Sequence, residues 1–343
     1  MLSKAPGRIC IFGEHQDYIG HPVIAGAINL FFNIKGDLRE DNNVIINKLD
    51  LNEVEKFILP EKGLLEYKKE RDYFKSGINV LRKKGYKIDR GVEVEVWSNI
   101  PIMAGTSSSS ALAVAWIRFL SDIYGLNISD DYQIGEYAYL AEVEEFGEPG
   151  GKMDQYTSAV GGIVYLDFIK KDYEKLKKNM SGFVLIDSLT PKDTFGVLKR
   201  LKYGETTALK LIKEKYKNID LSEIDEKQLS FLPSNLFKYG KAAVMNYQLT
   251  IKGRSLLREE NIDENLLGQY LNEEHKLLRD CLEISTEKIE KILDIALKNG
   301  ALGGKINGSG GGGTVFFYAP GKEEFIIDKL QKLNIRAFKI KII

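Results

Sequence analysis

The chain has 343 residues and carries 49 lysines and arginines against 49 aspartates and glutamates, so its formal charge is zero although 29% of its residues are charged. A protein that binds a polyanion displaces counterions with a basic excess, and none exists here, which argues against nucleic acid as a partner. A hydrophobic share of 43% is enough for a sizeable core, and the length suits one large or two medium domains.

The chain opens with MLSKAPGRICIFGEH, which meets proline, glycine and charge too early to hold the apolar stretch of a signal peptide. An apolar strand over 9–12 runs abruptly into Glu14, His15 and Asp17. The alternation of VEVEVW over 92–97 predicts a half-buried strand. It leads into NIPIMAGTSSSS (99–110), and then into a helix whose Ala111, Ala115, Ile117, Leu120 and Ile123 suit burial. A second helix is expected over 131–145, with Ile134, Ala138, Ala141 and Glu142 on it and Pro149, Gly150 and Gly151 stopping it.

After a strand over 162–168 the composition turns to KKDYEKLKKNMSG, read as a solvated connection and as the domain boundary, giving domains of 1–170 and 171–343. FVLID (183–187) reads as a strand and 199–282 as several amphipathic helices. In TEKIEKILDIALKNG, Ile289, Ile292, Leu293 and Ala296 share a face and Gly300 is placed as a carboxy-terminal cap. The glycine-rich run 303–313 feeds a strand over 314–318, and a helix (323–333) and a strand (336–343) end the chain. Cys10 and Cys281 form no CxxC pair and read as small buried apolar residues, and three histidines make a His-rich metal site improbable. No run approaches about 18 apolar residues, so a cytoplasmic protein without a membrane partner is expected.

Three loops hold the residue types that chemistry needs. Gly105, Thr106, Ser107, Ser108, Ser109 and Ser110 lie between a strand and a helix, where backbone N–H groups and hydroxyls bind anions and can reach a phosphate-bound magnesium ion. A helix cap and connector has the same composition, and no Walker pattern GxxxxGK[ST] is present. Glu14, His15 and Asp17 are of the kind that grips sugar hydroxyls, or equally form a surface turn. Asp154, in Met153-Asp154-Gln155, follows glycines that permit close backbone approach to a ligand, yet an aspartate there also serves as a turn former.

Taken together, and in this order, the loops resemble the motifs of the GHMP kinases, a superfamily named for galactokinase, homoserine kinase, mevalonate kinase and phosphomevalonate kinase. APGRICIFGEHQDYIG is similar to the sugar-kinase form of motif one, PIMAGTSSSSAL to motif two, and GALGGKINGSGGGGTVFF to motif three. The resemblance covers residues 5–318 and implies two α+β domains, one resembling a ribosomal-protein fold and one ferredoxin-like, with the active site between them. It implies ATP as co-substrate and Mg²⁺. By the same resemblance Gly105 to Ser110 wrap the phosphates, with Gly308, Ser309, Gly310 and Gly311 as the motif-three loop. Ser109 and Glu142 hold the metal. Asp154 accepts the proton of the acceptor hydroxyl with Arg8 beside it, and Glu14, His15 and Asp17 bind a sugar with Asp154.

Several positions depart from the pattern. Met103 stands where motif two has glycine, Lys305 replaces an arginine and Asn307 a threonine. DSLTPKDT (187–194) resembles the mevalonate and heptose kinase branches more than the galactokinases. The expected activity is therefore a sugar 1-kinase, with a mevalonate-type or heptose-type kinase as the alternative and a non-catalytic sugar and ATP sensor as the reading from another class. The sequence leaves open the sugar and whether the protein is a monomer or a homodimer.

Overall fold

A computed structural model describes residues 1–101, 105–128, 130–190 and 194–343. Met103 and the residues Pro191, Lys192 and Asp193 of the DSLTPKDT segment lie outside them. The chain folds into two compact units. The first comprises residues 1–8, 27–102 and 107–161; the second comprises 9–26, 103–106 and 162–343.

The elements of the first half are β1 (Leu2–Phe12), β2 (Val23–Leu38), β3 (Asn43–Lys48), β4 (Glu53–Ile58), α1 (Tyr73–Lys83), β5 (Val92–Ser98), α2 (Ser108–Ile123), α3 (Asp131–Glu142) and α4 (Met153–Val160). In the first unit the strands run in the order β4-β3-β5-β2, with β3 and β5 parallel and the other pairs antiparallel. The alternation predicted for β5 is present: Val92, Val94 and Val96 are buried while Glu93 and Glu95 are exposed. Helices α1 to α4 pack on one another around Trp116, whose indole N–H donates to Phe74 O at 2.8 Å and whose ring stacks on Phe119. A buried indole needs such a partner, because an unmet N–H in the core is costly.

Helix α3 stops at Glu142, earlier than expected. A single 3-10 turn (Glu144–Phe146) and Gly147 at φ +62° end it, so Pro149 to Gly151 are not the stop. Only a residue tolerant of positive φ can make that reversal without strain.

The second half contains β6 (Ile163–Asp167), β7 (Asp172–Lys177), β8 (Met180–Asp187), α5 (Thr194–Lys215), α6 (Ser234–Arg258), α7 (Glu264–Asp280), α8 (Glu287–Lys298), β9 (Gly303–Asn307), β10 (Thr314–Tyr318), α9 (Glu323–Gln331) and β11 (Arg336–Ile342). In the second unit β11, β8, β10 and β9 form an antiparallel run, with α8 and α9 against it. The face predicted for α8 is the buried one: Ile289, Ile292, Leu293 and Ala296. Gly300 takes φ +101° just beyond its end.

The stretch read as a solvated connection is instead strand β7, paired antiparallel with β6 (Tyr165 opposite Glu174). Its charges are matched by α6: Glu174 Oε2 accepts from Arg254 at 2.9 Å and from Arg258 at 2.7 Å. Both cysteines are buried and unbridged. Among the described residues no helix is long and apolar enough to cross a membrane.

Candidate functional site

In the first unit, Arg8 comes from β1 and is only 4% exposed. Its Nε donates to Asp154 Oδ1 at 2.8 Å and its Nη2 to Asp154 Oδ2 at 2.9 Å. Asp154 stands in the first turn of α4, where a carboxylate also meets the positive end of the helix. Ser107 Oγ donates to Asp154 Oδ2 as well. Ser107 precedes α2 at φ +60°, and Ser108, Ser109 and Ser110 form the first turn of that helix, so half of the serine-rich loop is helical. Ser109 is exposed, whereas Ser107 and Ser110 are buried.

Glu142, at the end of α3, is 7% exposed. Burial pushes its carboxyl up, against hydrogen bonds to Ser109, Gln155 and Ser110 that favour the ionised form. The Gln155 amide donates to Glu142 Oε2 at 2.6 Å, and Gln155 Oε1 is buried without a hydrogen-bond partner among the described residues. A buried carboxylate, a serine hydroxyl and an amide oxygen are hard oxygen donors, a set that fits a magnesium ion which keeps water and phosphate oxygens as its other ligands.

In the second unit, the turn after β1 is not a surface feature: Glu14 is 2% and His15 4% exposed. The side chain of Gln16 anchors the turn by donating to Pro22 O and Thr250 Oγ1, both at 3.0 Å, and Asn246 donates to Glu14 O at 2.9 Å. His15 has φ +66°, a backbone strained for a residue with a side chain. Its Nδ1 lies 2.9 Å from the Tyr18 hydroxyl, which donates to Glu205 Oε2 at 3.3 Å. Burial pushes the Glu205 carboxyl well up, and burial and Glu205 do the same to Tyr18. Asp17 is half-buried and opens a 3-10 turn (Asp17–Ile19), with Oδ1 accepting from Tyr18 N.

Glu14 Oε2 accepts the backbone N–H of Gly308 at 2.9 Å and lies 3.3 Å from Lys305 Nζ. Gly308 has φ +79°, and a Cβ there would come within 2.8 Å of Gly105 O, so only glycine fits. Gly310, Gly311 and Gly313 also take positive φ, and Ser309 is buried among them. Asn307 ties the loops together: its Oδ1 accepts from Cys10 N at 2.9 Å, and its Nδ2 donates to Gly105 O at 2.8 Å. Thr106 is buried and Gly105 partly so.

Buried Glu274 escaped the sequence reading, which noted Lys305 only as a replacement for an arginine. Glu274 on α7 accepts the N–H groups of Gly13 and Glu14 at 3.0 Å each, and Lys305, fully buried, donates to Cys10 O at 2.8 Å. Burial pushes the Glu274 carboxyl up to about 7, with Lys305 opposing. The sequence carried a signal for it, since Leu267, Leu271 and Leu278 mark the apolar face of α7 and Glu274 falls on that face. Glu205 shows the same pattern among Leu201, Ala208 and Ile212. The described residues contain no cluster of three or more histidine, cysteine, aspartate or glutamate side chains arranged to hold a metal.

Three family descriptions match the chain: the GHMP kinases N terminal domain over residues 72–162, the GHMP kinases C terminal domain over 254–336, and the galactokinase galactose-binding signature over 1–34. The galactokinase of Thermotoga neapolitana is 30% identical over 351 residues, spanning 100% of this chain and 96% of its own length. The mevalonate kinase of Thermococcus gammatolerans is 29% identical over 338 residues, 94% of this chain and 90% of its own length. The crystal structure of Lactococcus lactis galactokinase complexed with galactose shares the fold at a TM-score of 0.85 and 23% identity, covering 99% of this chain and 93% of that one.

Proposed function

The chain belongs to the GHMP kinase family as a galactokinase-like, ATP-dependent sugar kinase, and from that premise we propose that it transfers the γ-phosphoryl group of ATP to the anomeric hydroxyl of galactose. The observation that carries the reading is the Arg8–Asp154 pair, with Ser107 on the same carboxylate. A fixed carboxylate accepts the hydroxyl proton, while the guanidinium offsets charge developing at the attacking oxygen and the transferred group. Phosphoryl transfer asks little else of a protein beyond alignment and charge neutralisation.

Glu14, His15 and Asp17 are assigned to the sugar, where carboxylates accept from hydroxyls and reject analogues that lack them. The Gly105–Ser110 segment and Gly308, Ser309, Gly310 and Gly311 are assigned to the phosphates, through backbone N–H groups and the start of α2. Glu142 and Ser109 would hold Mg²⁺, which when bound neutralises phosphate charge. Zero net charge accords with this: the attraction for ATP is local, and neither nucleic acid nor membrane is a partner. The protein is placed in the cytoplasm, as a monomer or homodimer.

The test is ADP release from ATP and Mg²⁺ with a panel of free hexoses, uronic acids and N-acetylhexosamines, galactose included. Turnover with galactose and phosphate on its anomeric oxygen is the expected result. Silence with every sugar, together with turnover of mevalonate, overturns it in favour of the second reading, which the similarity to the Thermococcus mevalonate kinase supports.

A further inference from the structure

A carboxylate on the apolar face of a helix is expensive, because burial in a low-dielectric interior costs more than one ion pair returns. Glu274 is fully buried, and its Oε2 has no hydrogen-bond partner among the described residues. Apolar groups of similar volume in place of the buried Glu274–Lys305 pair would serve stability as well, so the carboxylate calls for another account.

Its contacts supply one. Oε1 accepts two consecutive backbone N–H groups, Gly13 and Glu14, which sets the geometry of the turn after β1. The same oxygen lies 3.7 Å from Lys305 Nζ, which is 3.3 Å from Glu14 Oε2, and Glu14 Oε2 accepts the N–H of Gly308. One contiguous set of contacts thus runs from α7 through the turn to the glycine loop, all within the second unit. We propose that Glu274 is a positioning residue for both substrates, fixing the turn assigned to the sugar and, through Lys305 and Glu14, the Gly308 backbone assigned to the nucleotide.

The proposal rests on the kinase reading for its substrates, and it adds a consequence. Without the Glu274 charge, Glu14 is the remaining carboxylate within ion-pair distance of Lys305 among the described residues. The ammonium then draws on the oxygen that holds Gly308, and the turn loses its negatively charged hydrogen-bond acceptor. Acceptor and nucleotide affinity weaken together, as expected when two sites depend on one packed network.

Full-length wild type and Glu274→Gln are compared by calorimetry with a non-hydrolysable ATP analogue and Mg²⁺, and by steady-state kinetics with galactose. Glutamine keeps the volume and one acceptor oxygen but not the charge. The expected result is a loss of about tenfold in analogue affinity and a similar rise in KM for galactose, with kcat changed less than about threefold. A folded variant with both constants within twofold of wild type overturns the proposal whatever its Tm, since a purely structural carboxylate would move only Tm. A shift in one constant alone overturns it too. If Glu274→Gln does not fold, the double variant Glu274→Leu, Lys305→Met replaces the pair by apolar groups of similar volume and is read by the same two constants. The nucleotide arm needs no acceptor: weakened analogue binding beside a wild type silent on every sugar upholds the nucleotide half of the proposal, overturns its sugar half and sinks the sugar-kinase reading. A wild type that does not bind the analogue overturns both.

Discussion

Arg8 and Asp154 meet side-on, guanidinium fork against carboxylate, with both nitrogen–oxygen distances under 3 Å (2.8 and 2.9 Å) although they stand 146 positions apart in the chain. Such a two-point contact fixes the carboxylate plane as well as its place, which a single hydrogen bond does not. Asp154→Asn keeps the shape and removes the proton acceptor. The expected outcome is a fall in kcat of about 10²- to 10⁴-fold with nucleotide affinity nearly unchanged. Near-normal turnover would show that the proton goes elsewhere.

Arg8→Lys separates charge from geometry. Lysine retains the cation but offers no planar fork, so Asp154 is held at one point and can rotate. We expect kcat to fall by at least about tenfold while the Tm stays close to that of wild type, because the variant keeps an ion pair. Equal kcat in the two proteins would mean that charge alone matters at this position.

Glu142 and Ser109 bear on the metal. Glu142→Gln leaves the hydrogen bond from Gln155 feasible on the amide oxygen but removes the negative charge, so the Mg²⁺ concentration for half-maximal rate should rise about tenfold or more, with rate partly restored at high Mg²⁺. Ser109→Ala should shift the same titration in the same direction by less. Unchanged Mg²⁺ titrations in both variants would place the ion on other groups.

The site was legible in the sequence where its residues are local. The serine-rich segment reads as a loop before a helix, although Ser108 to Ser110 already belong to that helix, and α2, α8 and β5 were recoverable because the burial of Ala111, Ile292 and Val94 follows helical or alternating periods. What was not legible comes from distant partners. From local residues alone Glu14 and His15 fit a surface turn as well as a sugar site, yet Asn246, Glu274 and Lys305, more than 230 residues away, enclose Glu14, and Glu205 reaches Tyr18 beside His15. Strand β7 was missed for a related reason. Its lysines and acids carry no apolar alternation, and its pairing depends on β6 and on arginines of α6. Strands β3 and β4 and helix α1 carry no motif and were not read at all.

Asn307 replaces a threonine of the resembling pattern and bridges Cys10 N to Gly105 O. Asn307→Ala removes the hydrogen bonds to a buried donor and a partly buried acceptor, a cost of about 2 to 6 kcal/mol at about 1 to 3 kcal/mol for each group. The denaturation midpoint should drop accordingly. Asn307→Thr brings both functions on one shorter side chain and should recover only part of the loss. An Asn307→Ala protein as stable as wild type would show that water satisfies both groups.

His21 is 5% exposed, stacked edge-on against Tyr247 at 5.3 Å, and neither ring nitrogen has a hydrogen-bond partner among the described residues. Burial, aided by Lys213, lowers its pKa from 6.5 to about 4. The unfolded chain therefore takes up a proton as pH falls through about 6.5, while the folded chain refuses it until about pH 4. Stability supported by neutral His21 is complete above that window and drains away as pH falls across it, by about 2 kcal/mol at pH 5 at roughly 1.4 kcal/mol per pH unit. His21→Phe keeps an aromatic edge for Tyr247 and removes the titration. Glu274, with its pKa raised to about 7, acts with the opposite sign, favouring the folded state as pH falls toward its ordinary value. Urea midpoints for wild type and His21→Phe at pH 7 and pH 5 separate the two, because Glu274 contributes equally to both proteins. The wild type should lose more stability than the variant over that interval; parallel pH dependence in the two proteins would mean that His21 is protonated in the folded state and its burial relieved.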